Sequence, residues 1–356
     1  MPSRKKIIIT GALGQDGSNM SDYLLSKDYK VYGMMRRSAT PSFHNVEEAL
    51  KNPNFELVDG DLTDEVCLSN LVKKIQPTHF INFGANSFVG CSWDMPLQVF
   101  DTNALGVIRC LEAIKTHKPN CRFCSAGSSE EFGDVDYCPQ DIVHPIKPRS
   151  PYGASKCSAR HAVKVYRESY KIYAVHGILF NHEGVRRGEE FVTRKISKGV
   201  ARIFHEMRDV DKWRKRQGTI PKFEPIELGN LEAKRDWSDS EDFVRGVWLM
   251  LNQKTPKDYI LASGEAHSIK EFVEEAFLCL KIDGNWSGKN ENTTFKHAWG
   301  TKKITLVKVN PEFYRPAEVE VLVGDSTPIR KELKWKPKVN FKKLVQKMVT
   351  HDKKNS

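Results

Sequence analysis

A doubly wound α/β fold, in which helices cover both faces of a parallel sheet, is predicted by two features of the sequence. Short apolar runs alternate with helical patterns through the first half of the chain, as in parallel strands joined by crossover helices. The first run leads at once into a glycine-rich turn and then a helical pattern, an arrangement that favours a bound phosphate. Because 356 residues exceed one small core, a second, smaller α/β domain is expected.

The predicted elements follow from their apolar periodicity. Strands are predicted at residues 5–9, 30–35, 55–62, 79–83, 122–126 and 173–180. Helices are predicted at residues 103–115, 152–170, 240–252 and 268–280, a surface helix and loop at 205–223, and a loop at 286–293. Ligands bind beyond the carboxyl ends of the strands in such sheets, so the residues that follow each strand are the candidates for a site.

The turn after the first strand has its glycines at positions 11, 14 and 17. Glycine lets the backbone approach a pyrophosphate, and the N-terminus of the following helix favours its negative charge. With the strand before it and the helix after it, this turn predicts a Rossmann dinucleotide site. The candidate cofactor-binding residues here are Thr10, Gly11, Gly14, Gln15, Asp16 and Gly17.

The second predicted strand ends in Arg36, Arg37 and Ser38. A site for NAD usually has an acidic residue at this position, where it holds the ribose hydroxyls. Guanidinium groups instead match a phosphate. The sequence therefore predicts NADP as the cofactor.

Later strand ends supply further candidates beside the cofactor. Asp61 and Leu62 follow the third strand, and Gly84, Ala85 and Ser87 follow the fourth. The fifth strand leads into Ser128-Ser129-Glu130. These positions are expected to lie along one edge of the sheet, because parallel strands all end there.

Tyr152 and Lys156 are four residues apart on a predicted helix, so their side chains share one face. A phenol with a pKa of about 10 is a poor base at neutral pH, but a neighbouring cation favours the phenolate. The pair suits a group that removes a proton from a sugar hydroxyl while hydride leaves the same carbon.

Composition narrows the function classes. The formal net charge is +11, but the basic residues are scattered, which favours a solvated surface over nucleic-acid binding. The eight cysteines are expected to be reduced, and the CxxC pair Cys121 and Cys124 has no second pair or matching histidines for zinc. We expect no metal. No signal peptide or long apolar run is apparent, so a cytosolic protein without a membrane segment is expected.

Taken together, the glycine turn, Ser128-Ser129-Glu130 and Tyr152-x-x-x-Lys156 resemble the extended short-chain dehydrogenase/reductase superfamily. More narrowly, the chain resembles the GDP-mannose 4,6-dehydratases over nearly its whole length. The stretches that carry this resemblance are residues 14–18, 36–38, 60–64, 148–156, 178–183, 186–196, 228–237, 264–272, 288–292 and 314–318. The chain departs from the family pattern at Ser128, where threonine is usual, at Phe88, where histidine is common, and at Gly184-Val185, which replaces Ser-Pro.

The resemblance implies a cycle in which the cofactor is reused and the product is GDP-4-keto-6-deoxymannose. It assigns Tyr152 to the proton of the 4-hydroxyl, Glu130 to the C5 proton and the departure of water from C6, and Ser128 to a hydrogen bond with the sugar. Lys156 would also hold the nicotinamide ribose, and His182 and Arg187 would approach the cofactor. The implied substrate-binding residues are Ser87, Ser128, Glu130, Tyr152, Asn181, Lys195, Leu228, Gly229, Arg235, Arg315 and Glu318.

In domain terms, residues 1–180 are predicted to bind NADP, with return segments near 226–252. Residues 181–356 are predicted to form mainly the GDP-sugar-binding domain, interleaved with the first. The family also implies a homo-oligomer, either a dimer or a tetramer.

Alternatives stay open at this stage. The stretch from Gly127 to Gly133 is also similar to GDP-4-keto-6-deoxymannose reductases, so a 4-ketoreductase or a bifunctional enzyme is one alternative, and a sugar-nucleotide 4-epimerase is another. A non-catalytic NADP-binding regulator is disfavoured, because a decayed site would be expected to lose Ser128, Tyr152 or Lys156.

Overall fold

The structure, a computed structural model, describes residues 4–217, 224–299, 302–314, 319 and 321–356, with the backbone alone at 209–217. The strands are β1 (Lys6–Thr10), β2 (Lys30–Met35), β3 (Phe55–Asp59), β4 (His79–Asn82), β5 (Arg122–Ala126), β6 (Ala174–Leu179), β7 (Asn181–Glu183), β8 (Ile226–Leu228), β9 (Lys234–Arg235), β10 (Trp237–Asp239), β11 (Tyr259–Leu261), β12 (His267–Ser268), β13 (Asn285–Ser287), β14 (Thr294–Trp299), β15 (Lys302–Val309) and β16 (Val321–Leu322). The α-helices are α1 (Gln15–Leu25), α2 (Glu47–Leu50), α3 (Glu65–Ile75), α4 (Pro96–Phe100), α5 (Gly106–His117), α6 (Pro151–Ser169), α7 (Val192–Gln217), α8 (Ser240–Leu251), α9 (Ile269–Cys279), α10 (Thr327–Leu333) and α11 (Phe341–Asn355).

Seven of these strands form one parallel sheet in the order β11-β6-β5-β4-β1-β2-β3. The order reverses direction at β1, so the crevice between the ends of β1 and β4 is the switch point where ligands bind in such sheets. Thr10 lies opposite Asn82 at this point. The predicted doubly wound fold is confirmed, and the six predicted strands of the sheet are present.

Both faces of the sheet are buried, which explains why β1 is apolar at every central position. Ile7 and Ile9 pack into one hydrophobic cluster, with α1 and α8, while Ile8 packs into a second cluster, with α3, α5 and α6. Successive side chains of a strand point to opposite faces, so a strand covered on both sides reads as a continuous apolar run.

The chain divides into two compact units. The first comprises residues 1–182, 236–265 and 322–338, and the second comprises 183–235, 266–321 and 339–356. The first unit thus takes back two segments, 236–265 and 322–338, where the sequence analysis predicted return segments near 226–252. The second return occurs because Ile329 and Trp335 are buried in the cluster that covers the sheet. The second unit contains the antiparallel pairs β13–β14 and β14–β15, and β15 pairs in parallel with β8.

Two local predictions differ in part from the structure. Residues 205–217 of the predicted helix and loop are helical, as the continuation of α7, a helix of 26 residues, and residues 218–223 lie outside the described part of the chain. The predicted loop at 286–293 begins within β13 and includes a 3₁₀ turn at Asn290–Asn292. The hairpin of β14 and β15 that follows was not predicted.

Candidate active site

The start of α6 fixes Tyr152 and Lys156. Ser150 is the N-cap residue, and its side chain accepts a hydrogen bond from the backbone N–H of Gly153 at 3.0 Å. Pro151 occupies the first turn, where its missing N–H costs nothing and its fixed φ suits a helix. The two candidate catalytic residues therefore lie on the first two turns of a well-capped helix.

The Lys156 side chain is buried and held against the end of β5. Its Nζ donates to the carbonyl oxygen of Ala126 at 2.7 Å and lies 5.8 Å from the centre of the Tyr152 ring. Burial lowers the pKa of Lys156 to about 8, while the carboxylates of Glu131 and Asp16 act in the opposite direction. The ammonium is therefore present at neutral pH, where it favours the phenolate of Tyr152.

Ser128 and Glu130 lie on the turn between β5 and α6. Ser128 caps a 3₁₀ turn, and its Oγ accepts from the backbone N–H of Glu130 at 3.2 Å. The turn rests directly on α6, because a Cβ on Gly153 would stand 2.5 Å from the carbonyl oxygen of Glu130. Ser128 is buried and Glu130 is half-buried. The structure thus brings Ser128, Glu130, Tyr152 and Lys156 together in two adjoining segments of the first unit.

The glycine turn forms a close-packed cradle at the switch point. Gly11 has a φ of +65°, a conformation that favours glycine, and a Cβ on Gly17 would stand 2.2 Å from the carbonyl oxygen of Gly11. The Thr10 hydroxyl joins the neighbouring strand end, donating to Asn82 Oδ1 at 2.5 Å and accepting from the Gly84 N–H at 2.9 Å. Because these glycines have no side chains, a ligand phosphate could approach the backbone of the turn closely.

The residues around this cradle fit a nicotinamide dinucleotide. No side chain of the described residues caps the N-terminus of α1, so its first amides can donate to a pyrophosphate. Buried oxygens of Gln15 and Asn181 have no hydrogen-bond partner among the described residues, as expected where a ligand supplies the donor. His182 lies beside them, with its Nε2 2.8 Å from Asp16 Oδ2.

The remaining predicted cofactor residues follow β2, β3 and β4. Arg36, Arg37 and Ser38 are exposed after β2. Leu62 is buried, and its Cδ1 would meet a Cβ on Gly84 at 2.8 Å. The other three lie close by in the chain: Asp61, which accepts from Thr63, the half-buried Ala85 and the exposed Ser87.

In the second unit, three predicted substrate residues meet around Phe313. Lys195 Nζ lies 3.7 Å from the centre of the Phe313 ring, and a Cβ on Gly229 would stand 2.6 Å from the Phe313 carbonyl oxygen. Leu228 is buried next to Gly229, and its carbonyl accepts from Asn310. Burial lowers the pKa of Lys195, against the opposing effect of Glu227.

Two predicted arginines have partners within the same unit. Arg235 donates to the carbonyl oxygens of Lys234 and Val319. Arg187 Nε lies 3.1 Å from the carboxylate of Glu183, and the guanidinium stacks on a neighbouring aromatic ring. The last two predicted substrate residues, Arg315 and Glu318, lie outside the described part of the chain.

Sequence reasoning missed Asn103, which links two parts of the site. Its side chain accepts from the Asn86 N–H and donates to Ser155 Oγ on α6. Asn103 lies in a π-helical turn, Asp101–Leu105, where we had predicted the start of an ordinary helix. Such turns are frequent at functional sites. The signal available in the sequence was an asparagine on the apolar face of a predicted helix.

The described residues contain no group of three or more His, Cys, Asp or Glu side chains that could hold a metal ion. All eight cysteines are free, and burial raises the pKa of the Cys121 and Cys124 thiols. None of the described helices has the length and apolar character needed to cross a membrane.

Two solved structures illustrate the fold that this chain shares. A dTDP-glucose 4,6-dehydratase from Bacillus anthracis, in complex with NAD, matches 99% of this chain and 97% of its own at a TM-score of 0.76 and 20% identity. A UDP-glucose 4-epimerase from Thermotoga maritima, with UDP-glucose, matches 98% and 99% at a TM-score of 0.78 and 18% identity. The fold, the glycine cradle and the Tyr152–Lys156 pair define an extended short-chain dehydrogenase/reductase.

Sequence relatives define the family within that class. The family described as GDP-mannose 4,6 dehydratase matches residues 8–348. The GDP-mannose 4,6 dehydratases of Cricetulus griseus and Homo sapiens are each 42% identical to this chain, over 98% of it and 91% of their own length. That of Vibrio cholerae is 39% identical over 98% and 94%. The chain belongs to the GDP-mannose 4,6-dehydratase family.

Proposed function

We propose that this protein converts GDP-mannose to GDP-4-keto-6-deoxymannose and water by internal hydride transfer, with NADP tightly bound. The observation that carries the proposal is the contact between the two catalytic segments. The turn with Ser128 and Glu130 rests on the first turn of α6 through the backbone carbonyl of Glu130, which supports a site shared by Glu130 and the Tyr152–Lys156 pair. Oxidation of a sugar carbon requires that pair, and elimination requires the carboxylate.

Each residue of the site has one task in the proposed reaction. When bound, the nicotinamide would supply the hydride acceptor for C4 and the hydride donor for C6. Tyr152 takes the proton of the 4-hydroxyl, and Ser128 donates a hydrogen bond to O4 as the ketone forms. Glu130 then removes the C5 proton, which the ketone has made acidic, and gives a proton to the departing 6-hydroxyl. The proton that Tyr152 took from the 4-hydroxyl is returned to C5 when C6 regains the hydride, which restores both residues and completes the balance.

From the family resemblance, the sugar nucleotide is proposed to bind Ser87, Asn181, Lys195, Leu228, Gly229 and Arg235 in addition to the catalytic residues. A lysine beside an aromatic ring, as at Phe313, suits a diphosphate next to a purine base. The roles of Arg315 and Glu318 and the homo-oligomer stay predictions from the family resemblance, and the cytosolic location stays a prediction from the sequence.

Incubation of the purified protein with GDP-mannose alone tests the proposal. A dehydratase forms a product lighter by one water without added NADPH, because the hydride removed from C4 is returned to the same substrate at C6. A 4-ketoreductase consumes added NADPH and leaves GDP-mannose unchanged. An epimerase gives a product of unchanged mass. Either of the last two results would contradict the proposal.

We expect the unmutated protein to prefer NADP over NAD, because Arg36 and Arg37 are exposed where β2 ends and guanidinium groups match a phosphate. The double variant Arg36→Ala, Arg37→Ala should lose about 1.5–3 kcal/mol of NADP affinity, the value of hydrogen bonds to a charged group, and most of its discrimination. Titration calorimetry with both cofactors measures this, with the exposed Arg4→Ala as control. Equal affinity of the unmutated protein for both would disprove the preference.

Turnover should not depend on a metal, because Tyr152 and Glu130 can carry out the proton transfers alone. We expect full activity after prolonged treatment with a chelator followed by gel filtration. The measurement is product formation by the treated protein, with and without added zinc or magnesium. Activity that disappears with the chelator and returns with either ion would refute this expectation.

A further inference from the structure

A buried carboxylate and a buried imidazole lie directly behind the Ser128–Glu130 turn. Glu131 and His176 are both fully inaccessible to solvent, and Glu131 Oε1 lies 2.9 Å from His176 Nε2. Sequence analysis assigned neither residue a role, and the proposed reaction does not use them. Their burial is unusual, because a charged group loses its hydration there and is retained only where partners compensate it.

The pair is connected to the catalytic turn through one atom. Glu131 Oε1 also accepts from the backbone N–H of Ser128 at 2.8 Å, so the same oxygen joins the turn to β6. A carboxylate only accepts hydrogen bonds, so His176 Nε2 is the donor in its contact. The bond from the Ser128 N–H to Glu131 completes a capping box, in which Ser128 Oγ in turn accepts from a backbone N–H of the turn. Because Ser128 Oγ acts only as an acceptor in this capping box, its O–H can donate to another group, such as a substrate.

The atoms around the Glu131–His176 pair are tightly packed. A Cβ on Gly127 would stand 2.1 Å from His176 Nε2 and 2.6 Å from Glu131 Oε1. Gly127 is also fixed to β6 by its N–H, which donates to the Gly177 carbonyl at 2.8 Å. On the other side, Arg160 of α6 approaches Glu131 Oε2 at 3.8 Å. Strand β6, the turn and α6 thus all meet at one carboxylate.

We propose that Glu131 and His176 form a positioning pair that holds the Ser128 hydroxyl and the Glu130 carboxylate in register with Tyr152. The inference rests on the proposed roles of Ser128 and Glu130. An apolar pair of the same volume could fill this space, but it could not accept the Ser128 N–H. Without that acceptor the turn loses its cap, and misplacement of reacting groups by about 1 Å can cost 10²-fold in rate.

The Glu131 charge also acts on Lys156. Among the described residues, the carboxylates of Glu131 and Asp16 face Lys156 from other elements, and the Tyr152 phenol faces it from α6. His182 pairs with Asp16, and His176 and Arg160 pair with Glu131. The Glu131 carboxylate raises the pKa of Lys156, against the larger effect of burial. Removing this charge therefore lowers the pKa, and the ammonium is lost at a lower pH.

Variants at His176 test the positioning role. We expect His176→Leu to lower kcat with GDP-mannose roughly 10- to 100-fold, with unchanged KM and unchanged bound NADP. His176→Gln can place an N–H near the former Nε2 and should restore most of the activity. His79→Leu is the matched control, because His79 is also buried in the sheet, on β4, but lies outside the site. A His176→Leu kcat within threefold of the unmutated value, or a loss that His176→Gln does not restore, overturns the proposal.

Glu131→Gln tests the electrostatic part without removing the hydrogen bonds, because its amide oxygen can still accept from Ser128. We expect the alkaline limb of its kcat–pH profile to shift to lower pH, while that of His176→Gln stays in place because the carboxylate remains. An unshifted limb in Glu131→Gln contradicts this part. If the unmutated protein forms no 6-deoxy product from GDP-mannose, the proposed function fails instead, so the two failures are distinguishable.

Discussion

Glu130→Gln is expected to bind GDP-mannose and oxidise C4, but to stall before water is lost. Oxidation needs Tyr152, Lys156 and the cofactor, whereas elimination needs a base at C5. The amide keeps the size and hydrogen bonding of Glu130 and cannot take a proton, which should slow product formation by roughly 10²–10⁴-fold. Tyr152→Phe should fail one step earlier, because no group then removes the proton of the 4-hydroxyl.

Single-turnover absorbance of the reduced cofactor and C5 exchange in heavy water separate the two variants. Glu130→Gln should accumulate reduced cofactor without exchanging C5, and Tyr152→Phe should show neither signal. Glu168→Gln, at the exposed end of α6, is the control. If Glu130→Gln exchanges C5 and forms product at the unmutated rate, Glu130 is not the base, and the reductase-like character of this stretch gains weight.

Lys156→Met is expected to lose activity without losing stability. The ammonium favours the Tyr152 phenolate, and its removal should reduce kcat by roughly 10²-fold or more, as for other acid–base groups. The pKa of Lys156 is lowered by burial from 10.5 to about 8, so the folded state binds this proton less tightly than the unfolded state. Below pH 8 the buried ammonium therefore costs about 3 kcal/mol of stability, a cost that fades as pH rises from 8 to 10.5.

Thermal unfolding at pH 7 and pH 9.5 measures this difference. Lys156→Met should unfold at or above the Tm of the unmutated protein at pH 7, and its advantage should shrink at pH 9.5. Lys164→Met, on the exposed side of α6, should change neither kcat nor Tm. A clear fall in the Tm of Lys156→Met at pH 7 would mean that the hydrogen bond to Ala126 outweighs the cost of burial.

Local patterns were sufficient for the sheet and for much of the site. The alternation of apolar runs and helices predicted the parallel sheet, because a strand buried on both faces must be apolar at successive positions. The spacing of Tyr152 and Lys156 predicted a shared face, because the helical period fixes it. The hairpin of β14 and β15 was missed, because its lysines, such as Lys302 and Lys303, are exposed on strands and break the apolar pattern.

The sequence alone therefore determined the elements whose signals lie within a few residues: the glycine cradle, the capped start of α6 and the strand ends that carry Ser128 and Glu130. Only the tertiary structure decided which distant side chains meet behind them. Glu131 and His176 are 45 residues apart, and Asn103 and Ser155 are 52 apart. Such pairs depend on strand register and helix packing, which are set by burial of the whole core and leave no local pattern in the chain.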